Sequence, residues 1–138
     1  MRKILFVCHG NICRSPMAEF ILKDKIEKNN LDIYCESRAV SNEEFSNDIY
    51  PYAKKQLDKH NIKYDRHHAK KISNKDYEDF DEIYVMDSYN MYYIQRIIND
   101  KDNKIRMLSD SDIEDPWYTR NFDKVFDQID KAIDLLLK

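Results

Sequence analysis

The sequence predicts one α/β domain, with a four-stranded parallel sheet flanked by helices on both faces in a three-layer sandwich. Three observations carry that reading. Short apolar or β-branched runs alternate with amphipathic stretches, an order that gives parallel strands joined by right-handed crossovers. The chain has 138 residues, a length that suits a single core. No repeat, linker or low-complexity segment divides residues 1–138.

In chain order, Ile4-Leu5-Phe6-Val7 reads as a short buried strand. Ser15 as N-cap and Pro16 as first helical residue open a helix over about 16–28. Ala18, Ile21, Leu22 and Ile26 form its apolar stripe, and Asn29-Asn30 closes it. Leu31–Glu36 alternates as a second strand, which makes Cys35 a buried strand residue. Residues 37–50 read as loop. Pro51 opens a helix to about His60, with Asn61 as its stop. Residues 62–73 read as extended or loop, and a short helix follows near 74–80.

Glu82–Asp87 is β-branched and aromatic, a third strand. A helix at about 88–99 carries Met91, Ile94 and Ile98 on one face. Ile105–Leu108 is a short fourth strand, and 109–120 an acidic loop. Asn121 caps a last helix over about 122–137, whose buried stripe is Phe122, Val125, Phe126, Ile129, Ile133, Leu136 and Leu137. In such flavodoxin/Rossmann-like sheets ligands bind beyond the carboxyl ends of the strands. Cys8, Ser37 and Asp87 all fall at or just past such ends.

Composition narrows the function classes. The net charge is −3, which disfavours nucleic acid as a partner. No apolar run approaches the length of a membrane span, and the N-terminus lacks a signal-peptide pattern. Three cysteines, an odd number, make no disulfide framework. A cytoplasmic location is expected. Residues 54–75 hold eight Lys/Arg and two acids, and 109–138 hold eight acids and four bases. The basic stretch reads as a solvated face, with docking of an acidic partner as the sharper alternative.

The stretch that carries chemistry is Cys8-His9-Gly10-Asn11-Ile12-Cys13-Arg14-Ser15-Pro16. Five residues between Cys8 and Arg14, curled above a helix start, aim backbone N–H groups inward and form a cup for a tetrahedral dianion. Arg14 grips two oxygens through its planar fork. The same field favours a Cys8 thiolate, because cysteines so placed titrate at roughly 3.5–7.5 instead of ~8.5. Gly10 is the only glycine and is expected where another residue is strained. A lone strand-end cysteine is usually a small core residue; the strand, the C-x5-R-S-P spacing and the helix start together make a much more specific pattern.

That loop, at the very N-terminus, resembles the low-molecular-weight protein tyrosine phosphatase family, and the resemblance runs along essentially the whole chain. It implies hydrolysis of protein phosphotyrosine through a cysteinyl phosphate, with no metal and no cofactor. Phosphotyrosine-containing proteins or peptides are then the substrates and inorganic phosphate the product. Expelling a phenolate calls for a general acid. Asp115, in Ile113-Glu114-Asp115-Pro116-Trp117-Tyr118, is the candidate, as the family carries its acid in such an Asp-Pro followed by aromatics. Glu114 and Asp112 compete locally, and an Asp-Pro alone is an ordinary turn starter. Trp117 and Tyr118 supply walls for a flat ring. Ser15 Oγ is placed to hydrogen-bond the departing sulfur. His9, Gly10, Asn11, Ile12 and Cys13 line the cup.

The resemblance also gives Asn11 two partners, Ser37 and His67, the latter otherwise read as a solvated loop histidine. Asp87 is expected to make structural bonds to the loop or Tyr118. Cys13 is either a redox partner for Cys8 or a passive small residue. Several positions depart from the family pattern. Thr119, Ser46 and Ala53 stand where glycine is usual, and Arg38 stands where a small residue is. The aromatic wall expected within 41–45 is displaced, with Glu43 near its place and Phe45 the nearest ring. Glu43 and the acidic 109–115 loop are expected to disfavour very acidic phosphopeptides.

Ile12 looks tyrosine-type, where phosphoarginine-specific relatives tend to carry threonine. A phosphoarginine phosphatase is the first alternative and a cysteine phosphocarrier of a sugar phosphotransferase system the second. The carrier reading is weakened by Arg14 and Asp115. An arsenate reductase is disfavoured because no cysteine follows Cys35.

Overall fold

The computed structural model describes residues 1–138. Four strands, β1 (Arg2–Cys8), β2 (Ile33–Ala39), β3 (Glu82–Val85) and β4 (Ile105–Met107), form one sheet in the order β2-β1-β3-β4. Every pairing is parallel. The helices are α1 (Arg14–Asn29), α2 (Pro51–Lys59), α3 (Asn74–Asp79), α4 (Ser88–Ile97), α5 (Pro116–Thr119) and α6 (Phe122–Leu136).

Alternation along β1 builds the two cores. Ile4, Phe6 and Cys8 face a cluster with Met17, Ile21, Leu57, Val125 and Ile129 from α1, α2 and α6. Leu5 and Val7 face the other way, onto Ile83, Val85, Tyr77, Ile94 and Ile98 beside α3 and α4. A period-two strand buried on both faces reads as one continuous apolar run, as β1 does. The chain leaves β1 towards β2 on one side and returns to β3 on the other. The carboxyl end of β1 is therefore the switch point where a crevice opens.

The element pattern holds, with four local differences. Cys13, not Ser15, is the N-cap of α1, and the helix begins at Arg14. Pro16 thus sits inside the first turn, where a missing N–H is still tolerated, and the Ser15 hydroxyl is drawn to Cys8 Sγ at 3.0 Å. β2 runs later than 31–36, through Ser37 to Ala39; its inward residues Cys35, Ser37 and Ala39 are small or polar and give little hydrophobic signal. β3 ends at Val85, so Asp87 follows the strand and caps α4 instead. The acidic stretch 109–120 holds the short helix α5.

Gly10 stands, as expected, where another residue would be crowded. Its φ is not positive; the left-handed residue of the loop is Asn11, at φ 61°. What Gly10 supplies is room, since a Cβ there would meet Glu44 Cγ at 3.3 Å. Ser46 does adopt the left-handed conformation, at φ 70°. In the basic 54–75 stretch Lys55, Lys59, Lys63, Arg66, Lys70 and Lys75 are exposed, as a solvated face requires.

Candidate active site

The β1–α1 loop wraps Cys8 Sγ, which is buried at the floor of a cleft. The Asn11 N–H points at the sulfur from 3.3 Å and the Ser15 N–H from 3.4 Å. With the Ser15 hydroxyl, three donors converge on one atom, an arrangement that favours negative charge there. Outside, backbone bonds tie the loop to its surroundings. Cys8 O accepts from Val40 N at 3.0 Å, and Ile12 O accepts from Tyr50 N at 2.9 Å.

Asn11 is wholly buried and holds the loop from within. Its Nδ2 donates to Ser15 Oγ at 2.8 Å and to Ser37 Oγ at 2.9 Å. Its Oδ1 accepts from Lys70 N at 3.1 Å, and its carbonyl accepts from His67 Nε2 at 2.7 Å. Both partners expected of Asn11 are thus in contact with it, and His67 is a buried residue, not a solvated one. Burial pulls the His67 pKa down, against the pull of the Asn11 carbonyl and of Glu19 and Asp48. A neutral ring with its proton on Nε2 satisfies that contact.

Arg14 is only 2% exposed. Its Nη1 donates to Asp87 Oδ2 at 2.6 Å and to Ile113 O at 2.9 Å, and its Nη2 lies 3.4 Å from Asp115 Oδ2. Burial works against its charge, but Cys8, Asp115 and Asp87 together outweigh burial and hold the guanidinium's pKa above its ordinary value. Asp87 bonds to Arg14 and not to Tyr118, while its other oxygen accepts from Asn90 N at 2.7 Å.

The cleft above Cys8 encloses about 200 Å³ and brings together His9, Gly10, Ile12, Cys13, Arg14, Asp115, Trp117 and Tyr118. Asp115 caps α5, accepting from Trp117 N at 3.0 Å, so one turn fixes both the carboxylate and the indole. Trp117 packs edge-on to Tyr50, ring centres 4.8 Å apart. Cys13 lines the cleft as a thiol, since burial, then the charges of Cys8 and Asp115, push its pKa far up. Ser37 and His67 lie outside the cleft and contact Asn11.

The aromatic wall sought in 41–45 is not there. Phe45 is exposed and does not line the cleft; Glu43 and Glu44 do. Glu43 pairs with His9 Nε2 at 3.0 Å across the rim. Three participants escaped the sequence reading. Tyr50 braces Trp117, Glu44 closes on Gly10, and buried Glu19 accepts from Ser37 Oγ at 2.6 Å. For Glu19 a signal existed, an acid four residues after Ser15 on the buried face of α1.

Comparison with known proteins agrees along the chain. Residues 3–138 match the family model described as low molecular weight phosphotyrosine protein phosphatase. The low molecular weight protein-tyrosine-phosphatase PtpA of Staphylococcus aureus is 36% identical over 149 aligned residues, covering 100% of this chain and 96% of that one. The crystal structure of YfkJ from Bacillus subtilis superposes with a TM-score of 0.94 at 34% identity, covering 99% of this chain and 92% of that one. The Drosophila arginine phosphatase DARP superposes at 0.89 with 31% identity, covering 99% and 96%. With a match this complete in sequence and in fold, the chain belongs to the low molecular weight phosphotyrosine protein phosphatase family.

Proposed function

We propose that the enzyme hydrolyses protein phosphotyrosine in two steps, with Cys8 as nucleophile, Arg14 as phosphate clamp and Asp115 as general acid and then base. The observation that carries this reading is the cleft itself. A sulfur that receives three hydrogen-bond donors lies at its floor, and a buried guanidinium and the Asp115 carboxylate stand in its wall. In the first step the Cys8 thiolate forms an S–P bond as the P–O bond to the tyrosyl oxygen breaks, and Asp115 protonates that oxygen. Arg14 and the loop amides hold the non-bridging oxygens through the change of geometry. In the second step Asp115 takes a proton from water, the water oxygen attacks phosphorus, and the sulfur leaves towards the Ser15 hydroxyl. Trp117, braced by Tyr50, supports an aromatic leaving group. Three free thiols suit a reducing, cytoplasmic setting.

Likeness to an arginine phosphatase favours one second reading, phosphoarginine as substrate. The test measures phosphate release from p-nitrophenyl phosphate, a phosphotyrosine peptide and a phosphoarginine peptide, in chelator. Wild type turns over the aryl substrates, Cys8→Ser does not, and Asp115→Ala loses roughly 10²–10⁴-fold on phosphotyrosine. Turnover by Cys8→Ser, or trapping of phosphate without turnover by wild type, overturns the scheme. Faster release from phosphoarginine than from phosphotyrosine selects the second reading.

A further inference from the structure

A second cleft, of about 520 Å³, opens beside Arg14 and Asp115. It shares His9, Arg14, Asp115 and Tyr118 with the cleft above Cys8, so the two clefts adjoin along these residues. Its own walls come from α4 and the 112–114 segment: Tyr89, Tyr93, Asp112 and Glu114. Nothing in the two-step chemistry uses this space.

The charges around it are unequally satisfied. Asp87 and Asp115 face Arg14, and Glu114 pairs with Lys124 at 2.7 Å. His9 is turned to Glu43 at 3.0 Å. Asp112 uses one oxygen, Oδ1, for the Ser88 N–H and hydroxyl at 3.0 and 2.8 Å, and no cation pairs with it. Beside it stand exposed aromatic faces, with Tyr89 at 75% and Tyr118 at 80% exposure. An unpaired carboxylate set among tyrosine rings matches a guanidinium or ammonium on an aliphatic stem, with arginine the better fit because it also stacks.

Continuity with the Cys8 cleft names the occupant. Extended chain advances about 3.3–3.6 Å per residue, so with a phosphotyrosine over Cys8 a side chain one or two residues away reaches the adjoining cleft. We propose that the second cleft is a substrate subsite that selects an arginine or lysine next to the phosphotyrosine, with Asp112 as its charge anchor and Tyr89 and Tyr93 as its walls. This deepens the phosphotyrosine reading and rests on it.

The test compares kcat/KM for short phosphotyrosine peptides carrying Arg, Ala or Glu at each position within two residues of the phosphotyrosine, with p-nitrophenyl phosphate as internal standard. In wild type at low salt, Arg at one of these positions exceeds Ala by about fivefold, the scale of a part-exposed ion pair. Asp112→Asn keeps the acceptor for Ser88 and brings Arg and Ala within about twofold of each other. Tyr89→Ala lowers the same ratio, and neither variant moves the p-nitrophenyl phosphate rate by more than about twofold. Raising salt shrinks the wild-type preference. No preference for Arg at any position, or a preference that survives unchanged in both variants, overturns the subsite. Failure of wild type to hydrolyse p-nitrophenyl phosphate or any phosphotyrosine peptide strikes instead at the phosphatase reading beneath it.

Discussion

Replacing Asn11 with alanine tests the loop architecture most directly. The side chain is fully buried and makes three hydrogen bonds, to Ser15 Oγ, Ser37 Oγ and Lys70 N. At roughly 1 kcal/mol net for each, their loss costs about 3 kcal/mol. Alanine must also hold the left-handed backbone at φ 61°, which adds about 1 kcal/mol because asparagine tolerates that region and alanine does not. The expected total of about 4 kcal/mol is a large share of the 5–15 kcal/mol that typically separates folded from unfolded chains.

Two variants separate the contributions. Asn11→Gly accepts the backbone freely but loses the same three bonds, so it should fall short of the alanine variant by about 1 kcal/mol. Urea denaturation gives both values, and turnover of p-nitrophenyl phosphate gives the chemical consequence. The Ser15 hydroxyl, once released from Nδ2, is free to turn to Arg38 O, 3.3 Å away. A fall in kcat/KM of about 10–100-fold is therefore expected in both variants, the scale of one charge-assisted hydrogen bond. A loss of stability under about 1 kcal/mol in Asn11→Ala, or wild-type turnover, would refute the claim that this side chain holds the cup.

Two further outcomes follow from the charges around the loop. Asp87→Asn keeps an acceptor for Asn90 N but removes the anion 2.6 Å from Arg14. With Asp115 still nearby, the expected loss is about 2–3 kcal/mol, below the 3–5 kcal/mol of a fully broken buried pair; inhibition by inorganic phosphate should weaken as Arg14 shifts, measured as a raised inhibition constant. Acid should unfold the protein in two limbs. Burial holds the His67 pKa down, so the unfolded chain binds the proton more readily, and this stability is present above about pH 6.5 and lost as pH falls. Asp48 loses something to burial, but Lys54, the His67 and Ile49 N–H groups and Arg66 outweigh it and hold the carboxyl well below its usual range. Its contribution is present above about pH 4 and is lost at lower pH. His67→Gln should remove the upper limb of a stability–pH curve, and Asp48→Asn should reduce the lower limb while deepening the upper one, because Asp48 no longer supports the His67 charge.

What the sequence made legible was local. The run from Ile4 to Pro16 states a strand, a turn and a helix start in consecutive residues, and its chemistry is read from the same letters. Asp115 was legible as a residue of the cleft because Pro116, Trp117 and Tyr118 adjoin it. What stayed hidden depends on distance along the chain. Ser37 meets Glu19 across 18 positions, and no periodicity encodes that contact; Asp87 was expected to reach the loop, but not Arg14 in particular, 73 positions away. The polar strand residue Ser37 was also placed past its strand, because its burial is made tolerable by hydrogen bonds that hydropathy cannot register. Gly10 shows the same limit. A glycine can serve a positive φ or a close neighbour, and only the fold reveals Glu44 on the other side.

Donor and acceptor accounting turns these contacts into a direction. Lys70 N can only donate, so the Asn11 atom it meets is the amide oxygen, and Nδ2 is thereby turned to Ser15 and Ser37. Glu19, which also pairs with Lys23, accepts from Ser37, so the Ser37 proton goes to Glu19 and its lone pair receives Asn11. Ser15 Oγ receives the other Nδ2 hydrogen and keeps its own proton for Cys8 Sγ or Arg38 O. A negative sulfur at 3.0 Å is the stronger acceptor of the two. The bonds thus run outward from the Asn11 amide, one way through Ser37 to Glu19 and the other way to Ser15, whose own hydrogen is left for the Cys8 sulfur. Reversing any member costs a buried unsatisfied group, so the residues around Asn11 form one polarised unit, and substituting two of them together should cost less than the sum of the single losses.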